Sequence, residues 1–478
     1  MADAYDVIVI GAGPAGEHAA GHLADGGLAV ALVERELVGG ECSYWGCIPS
    51  KTLIRPGDAL AAARRAPGAA QAVTGRLDAA AAFARRDYMT SNWDDQGQLA
   101  WLEEKGIDLH RGTGRLAGRL AVTVEGRADG DGTGRRLTAR RAVVVATGST
   151  ALVPPIPGLA GARPWDNRDA TAAKDVPGRL LVVGGGSVGV ELAQAFRRLG
   201  SDQVTVVEAA ERLLAREEPF AGEEVRAAFE AEGIAVVTGT KVVSAGRRDG
   251  DGPVVAALED GRELAADELL VAVGRRPATA ELGLETVGLE PGRPIAVDDR
   301  MRAVGVSGGW LYAIGDCNGI APFTHMGKYH GRVAAAVIAG HDAADRAGDA
   351  VVPRVTFTDP QVCAVGLTEA EARRRGLEVR VVRYPTGDVP GAYTLGEGVA
   401  GTSQLVVDAA RGVLAGATFT GPGIQELLHS ATVAVAGAVP LGRLWHAVPS
   451  FPTVSEVWLH LLEGFGPAGA GREERNDR

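Results

Sequence analysis

The most reactive spacing in the chain belongs to two cysteines. Cys42 and Cys47 stand in Gly39-Gly40-Glu41-Cys42-Ser43-Tyr44-Trp45-Gly46-Cys47-Ile48-Pro49-Ser50-Lys51, with four residues between the sulfurs. A dithiol this close can carry two electrons as a thiolate–disulfide couple. The gap is longer than the Cys-x-x-Cys of many redox and zinc sites. No second pair or nearby histidine completes a tetrahedral ligand set, so no metal is expected. Cys317 and Cys363 have no partner in sequence and are read as small core residues. Four cysteines cannot staple 478 residues, which points to a reducing compartment and a chemical role for the close pair.

The pair begins eight residues after an acid, Glu34, that ends an unusual pattern. Residues 5–10, YDVIVI, have the length of a buried parallel strand. Gly11-Ala12-Gly13-Pro14-Ala15-Gly16, a helical EHAAGHLAD and a second apolar run, Leu28–Val33, follow. Strand, Gly-x-Gly-x-x-Gly turn, helix, strand and acid form a dinucleotide-binding fingerprint. Gly11 permits the tight turn, Gly13 lets backbone approach a pyrophosphate, and Gly16 lets the helix pack on the strand. The helix N-terminus turns its positive end to the phosphates, and Glu34 can accept from ribose hydroxyls.

The pattern recurs. LLVV at 180–183 leads into Gly184-Gly185-Gly186-Ser187-Val188-Gly189, a helical VELAQAFRRLG, and VTVVE ending at Glu208. Two fingerprints imply two dinucleotides, for which a bound flavin and an exchangeable nicotinamide are the ordinary pair. The dithiol leaves the first nucleotide domain in what reads as a loop, beside the end of its dinucleotide.

Composition agrees with an α/β enzyme. Sixty-seven glycines run beside 46% apolar residues, which suits tight turns and close ligand approach rather than disorder. A net charge of −11 argues against nucleic acid as partner. Neither a signal peptide nor a membrane-spanning run is evident, so a soluble, cytoplasmic protein is expected. Strands ending in small turns at 142–149 and 269–277, and prolines at 154, 155 and 157, punctuate the first 300 residues. After the Ala/Gly/Asp-rich stretch 339–350 the texture becomes that of a separate α+β domain, with strands RVTF, EVRVV and SQLVV and helices QELLHSATVAVAG and TVSEVWLHLLE.

GGECSYWGCIPSK resembles the active-site signature of the class I pyridine nucleotide–disulfide oxidoreductases, a family that includes dihydrolipoamide dehydrogenase, glutathione reductase and mercuric reductase. GAGPAG, ATGS, GGGSVGVE, VGRRP, YAIGD and PTVSE follow the family's order across nearly the whole chain. The resemblance implies two Rossmann-like domains and a C-terminal α+β dimerisation domain. It divides the chain into 1–150 (FAD domain, first part), 151–275 (NAD(P) domain), 276–348 (completing the FAD domain), 349–465 (interface) and 466–478 (disordered tail). It also implies a homodimer. Cys42 resembles the interchange thiol that attacks the acceptor, and Cys47 the thiol against the flavin. Lys51 resembles the lysine near flavin N5, paired with the carboxylate matched by Glu191; an ammonium there would stabilise the anionic reduced ring. Asp316 resembles the acid on the ribityl hydroxyls, Thr324 a contact of the ring, and Thr147 and Gly148 belong with the FAD. Gly274 belongs with the nicotinamide site. Glu208 favours NADH over NADPH, because a carboxylate accepts from a 2′-hydroxyl and repels a 2′-phosphate. Arg212, four residues on, is the nearby basic residue.

The chain departs from the family at one place. Disulfide-reducing members carry His-Pro-Thr-x-Ser-Glu, where the His serves the partner subunit's thiols as acid and base. Here Phe451-Pro452-Thr453-Val454-Ser455-Glu456 stands instead. Glu456 resembles the residue that orients the missing His, and His446 is read as an ordinary half-exposed histidine. The tail lacks the cysteine pair of mercuric reductases. The expected activity is NAD(P)H oxidation through FAD and Cys42–Cys47 to a disulfide-type acceptor. The alternatives are a diaphorase that reduces quinones or small oxidants, and a redox-sensing flavoprotein without turnover.

Overall fold

Within the strand Asp3–Ile10, Val7, Ile8, Val9 and Ile10 are buried on both faces, which explains the unbroken apolar run VIVI. Val7 and Val9 face one core with α1 (Pro14–Asp25), while Ile8 and Ile10 face a second core with Val122, Val124 and Leu311. The computed structural model describes residues 3–126, 134–248, 250, 252–348 and 350–466. The chain divides into two units, Met1–Pro49 with Ala84–Leu152 and Gly274–Gly348, and Ser50–Phe83 with Val153–Val273 and Asp349–Arg478.

In the first unit, Asp3–Ile10 lies parallel between Val30–Glu34 and Arg135–Val145. Asp108–Arg111 extends one side of the sheet. On the other, Leu311–Ala313 pairs with Arg135–Val145 in parallel and Ala121–Glu125 pairs with it antiparallel. The second strand begins at Val30 rather than Leu28 and takes in Glu34. Residues 146–148 are not strand but the turn after Val145, which places Thr147 and Gly148 at the strand's carboxyl end.

The second unit repeats the plan with a parallel sheet ordered Ile234–Thr238, Gln203–Glu208, Arg179–Val183 and Glu268–Val271. Leu180 and Val182 pack under the helix after the glycine turn, while Leu181 and Val183 pack with an antiparallel three-stranded sheet over residues 242–266. The same unit holds a five-stranded antiparallel sheet ordered Arg354–Thr356, Gln361–Gly366, Val413–Gly421, Thr402–Asp408 and Val379–Pro385. Helices Leu428–Ala436 and Val457–Glu463 bury Leu428, Ala431, Leu461 and Leu462 against this sheet. The architecture is therefore two Rossmann-like nucleotide folds and an α+β C-terminal domain. Of the tail read as disordered, 467–478 lies outside the described residues. No described helix is long and apolar enough to cross a membrane.

Candidate active site

The two glycine turns are built alike. Gly11 has φ +102°, and a Cβ there would lie 2.4 Å from the Ala146 carbonyl oxygen. Gly184 has φ +113° and would meet the Ala272 oxygen at the same 2.4 Å. A Cβ on Gly16 or Gly189 would fall 1.9 or 2.0 Å from the oxygen of the turn's first glycine, so helix and strand could not close on a larger residue. The middle glycines differ. Nothing lies nearer than 4.0 Å to a Cβ on Gly13, and nothing within 4 Å of one on Gly186. The protein itself does not require glycine at either position. Each leaves open space before a helix N-terminus, as a pyrophosphate needs.

The two acids also match. Glu34 accepts from the Ala12 and Glu36 N–H groups at 2.7 Å each. Glu208 accepts from the Gly185 N–H at 2.6 Å and the Ala210 N–H at 2.7 Å. Each carboxylate thus braces the turn that it follows. The Arg212 guanidinium donates to the Ala215 and Glu217 carbonyls.

In the first unit the dithiol does not lie in a loop. Cys42 is in the short helix α2 (Gly40–Tyr44), and Cys47 opens α3 (Cys47–Arg65). Pro49, which reads as a breaker, falls in the first turn of α3, where its missing N–H costs no helical bond. Both sulfurs are half-buried. The Cys47 Sγ lies 3.4 Å from the hydroxyl of Thr324, the first residue of the helix Thr324–Ile338. A hydrogen bond with Cys47 and burial push the Cys42 thiol far above its ordinary range, and the Thr324 hydroxyl offsets only part of that. Cys317 and Cys363 are fully buried, and burial pushes Cys317 up to about 12 and Cys363 up as well. Both behave as inert core residues.

Asp316 stands at the carboxyl end of Leu311–Ala313 and accepts from Ser149 Oγ at 2.6 Å. Ser149 Oγ in turn accepts from Arg275 Nε at 2.8 Å, and an Arg275 terminal nitrogen reaches Glu41 at 3.3 Å. This chain runs from the acid assigned to FAD to the residue before Cys42. Ser149, Arg275 and Glu41 were not singled out from sequence. Their separations, 126 and 234 residues, leave no local pattern to find. Gly148, at φ +72°, and Gly274, at φ +140°, flank the antiparallel pair Ser149–Ala151 and Arg275–Pro277 with nothing within 4 Å of a Cβ. The Thr147 Oγ1 is buried in the same turn.

In the second unit Lys51 Nζ donates to Glu191 Oε2 at 2.6 Å. The other oxygen of Glu191 accepts from the Phe357 N–H at 2.9 Å, and the Phe357 ring lies 4.8 Å beneath the ammonium. Glu191 is 5% exposed and Lys51 36%, so the pair is anchored at the carboxylate and open at the amine. Phe357 was also not anticipated. Phe451 is 72% exposed and His446 is exposed rather than half-exposed. Glu456 Oε2 is buried without a hydrogen-bond partner among the described residues. Among the described residues no three His, Cys, Asp or Glu side chains form a metal-binding group.

Comparison with known proteins agrees with this construction. Residues 5–343 match the family model "Pyridine nucleotide-disulphide oxidoreductase", and 352–462 match its dimerisation domain. A dihydrolipoyl dehydrogenase of Thermus scotoductus is 36% identical over 466 residues, covering 96% of this chain and 97% of that one. A mercuric reductase of Shigella flexneri is 35% identical over 468 residues, covering 96% and 79%. Among solved structures, the Cu(II) complex of the HOCl-induced flavoprotein disulfide reductase RclA from Escherichia coli superposes with a TM-score of 0.83 at 26% identity, covering 97% and 99%.

Proposed function

The chain belongs to the class I pyridine nucleotide–disulfide oxidoreductases, and from that premise we propose that it oxidises NADH and delivers the electrons through Cys42–Cys47 to a small disulfide-type acceptor. It is an oxidoreductase of the flavoprotein disulfide reductase type. FAD, when bound, supplies two-electron transfer between a nicotinamide and a dithiol. The turn at Gly11, Gly13 and Gly16, with Glu34, Thr147, Gly148, Asp316 and Thr324, would hold it. The open space at Gly13 is what fits these residues to a pyrophosphate. Gly184, Gly186, Gly189, Glu208 and Gly274 are assigned to the nicotinamide nucleotide, within a domain over 151–275.

The observation that carries this reading is the dithiol itself: a half-buried pair at the mouth of α3, in contact with Thr324. Cys42 takes the role of attacking thiol and Cys47 that of the inner one. Lys51, held by Glu191, would supply a cation to offset the negative charge of the reduced ring. NADH is the nucleotide this reading favours, because a carboxylate at Glu208 would accept from a 2′-hydroxyl and repel a 2′-phosphate, while Arg212 donates to backbone carbonyls.

One observation favours a second reading, delivery to quinones or other small oxidants. The raised Cys42 thiol needs a base before it can attack, and the exposed Phe451 offers none. Anaerobic reduction by NADH followed by a screen of disulfides, quinones and metal ions distinguishes the two. Reoxidation by a disulfide that requires both cysteines supports the first. Unchanged quinone turnover in Cys42→Ser supports the second.

A further inference from the structure

Lys51 and Glu191 sit on helices that meet again two turns further on. From Lys51 along α3, seven residues lead to Asp58; from Glu191 along the helix Ser187–Leu199, seven lead to Arg198. Asp58 Oδ1 accepts from Arg198 at 3.0 Å. Seven residues are about two helical turns, or roughly 10 Å of rise on each helix. The helices therefore run side by side, joined by two rungs of opposite polarity: cation on α3 and anion opposite in the first, anion on α3 and cation opposite in the second.

The second rung stands where α3 is weakest. Pro56 removes an intrahelical bond, and Gly57 follows it. The glycine has a local cause, since a Cβ there would lie 2.7 Å from Arg198 Cδ. A larger residue at 57 would meet the arginine stem. Arg198 is 14% exposed and also holds Glu232 at 2.6 Å and Asp359 at 2.9 Å, while Arg65 from α3 holds Asp359 at 2.8 Å. Two sites on α3, Asp58 and Arg65, are thus tied to one fixed guanidinium–carboxylate centre.

We propose that Asp58 and Arg198 are positioning residues that clamp α3 across Pro56 and Gly57 and thereby fix Lys51 against Glu191. This rests on the role given to Lys51 above. The alternative is a purely structural cluster, and the rate and potential of Asp58 variants separate the two. Burial raises the Asp58 carboxyl to about 6, against the pull of Arg198, Arg55 and Arg65 and with Asp359 adding to the rise. The protonated form contributes stability that is fully present below the unfolded value of about 4 and is lost as pH rises through about 6. At neutral pH the ionised group therefore contributes less to stability than its protonated form would.

The test uses the FAD-loaded enzyme at pH 7, comparing Asp58→Asn with Lys51→Ala. Asp58→Asn should slow flavin reduction by NADH about tenfold. It should also shift the flavin midpoint potential in the same direction as Lys51→Ala, and keep a melting temperature at or above that of wild type. In a Glu191→Gln background the same change should add little further loss. Arg198→Lys, which keeps the cation, should fall between wild type and Asp58→Asn. A lower melting temperature with rate and potential unmoved would overturn the clamp while leaving Lys51's role standing. A Lys51→Ala enzyme with wild-type potential would overturn both.

Discussion

Phe451 replaces an imidazole with a ring that carries no proton, and Cys42 is the residue that pays the consequence. Its thiol is raised by Cys47 and by burial, so disulfide attack must wait for a base. Positioned acid–base help is typically worth ~10²–10⁴-fold. Reduction by NADH should be unaffected, whereas turnover with lipoamide should be weak. Phe451→His, which would stand five residues before Glu456, whose Oε2 has no hydrogen-bond partner among the described residues, should raise lipoamide turnover by at least about tenfold. Wild-type lipoamide rates equal to those of a dihydrolipoyl dehydrogenase would refute this and direct attention to His446. At Glu208 the expected result is a preference for NADH that narrows in Glu208→Ala, read from kcat/KM with each nucleotide. Because Glu208 also braces the Gly185 and Ala210 N–H groups, KM for NADH should rise as well.

At the scale of elements, the glycine turns make separable predictions. Gly189→Ala puts a Cβ 2.0 Å from the Gly184 oxygen and should destabilise the fold, seen as a lower melting temperature. Gly186→Ala meets no protein atom within 4 Å and should melt like wild type. It should nevertheless bind NADH more weakly in equilibrium titration; unchanged affinity would mean the nucleotide does not approach this turn. These turns were legible in the sequence because strand, turn, helix and acid lie within about 30 residues and each step has a local physical cause. The α3 start at Cys47 was not legible, because Gly39, Gly40 and Pro49 read as loop while the helix is held by tertiary packing of Leu53 with Ala82, Phe83 and Leu199. Phe357 beneath Lys51 and the Asp316–Ser149–Arg275–Glu41 chain were likewise hidden, since contacts between residues 126 to 306 apart impose no spacing on either partner. Lys51 and Glu191 were found only through family motifs.

At the scale of the whole molecule, the C-terminal domain leaves Val448 84%, Phe451 72% and Val433 53% exposed. All three fall within the matched dimerisation domain, where a partner subunit could cover such apolar side chains. A homodimer is expected in sedimentation velocity, with Val448→Glu shifting it toward monomer; a wild-type monomer would remove the partner from the account. If electrons pass through the Cys42–Cys47 couple, the visible spectrum after anaerobic addition of one equivalent of NADH must report it. Wild type should gain a long-wavelength thiolate-to-flavin absorption, Cys42→Ser should show it before reduction, and Cys47→Ser should never show it. Persistence of that absorption in Cys47→Ser would contradict the assignment of the two thiols.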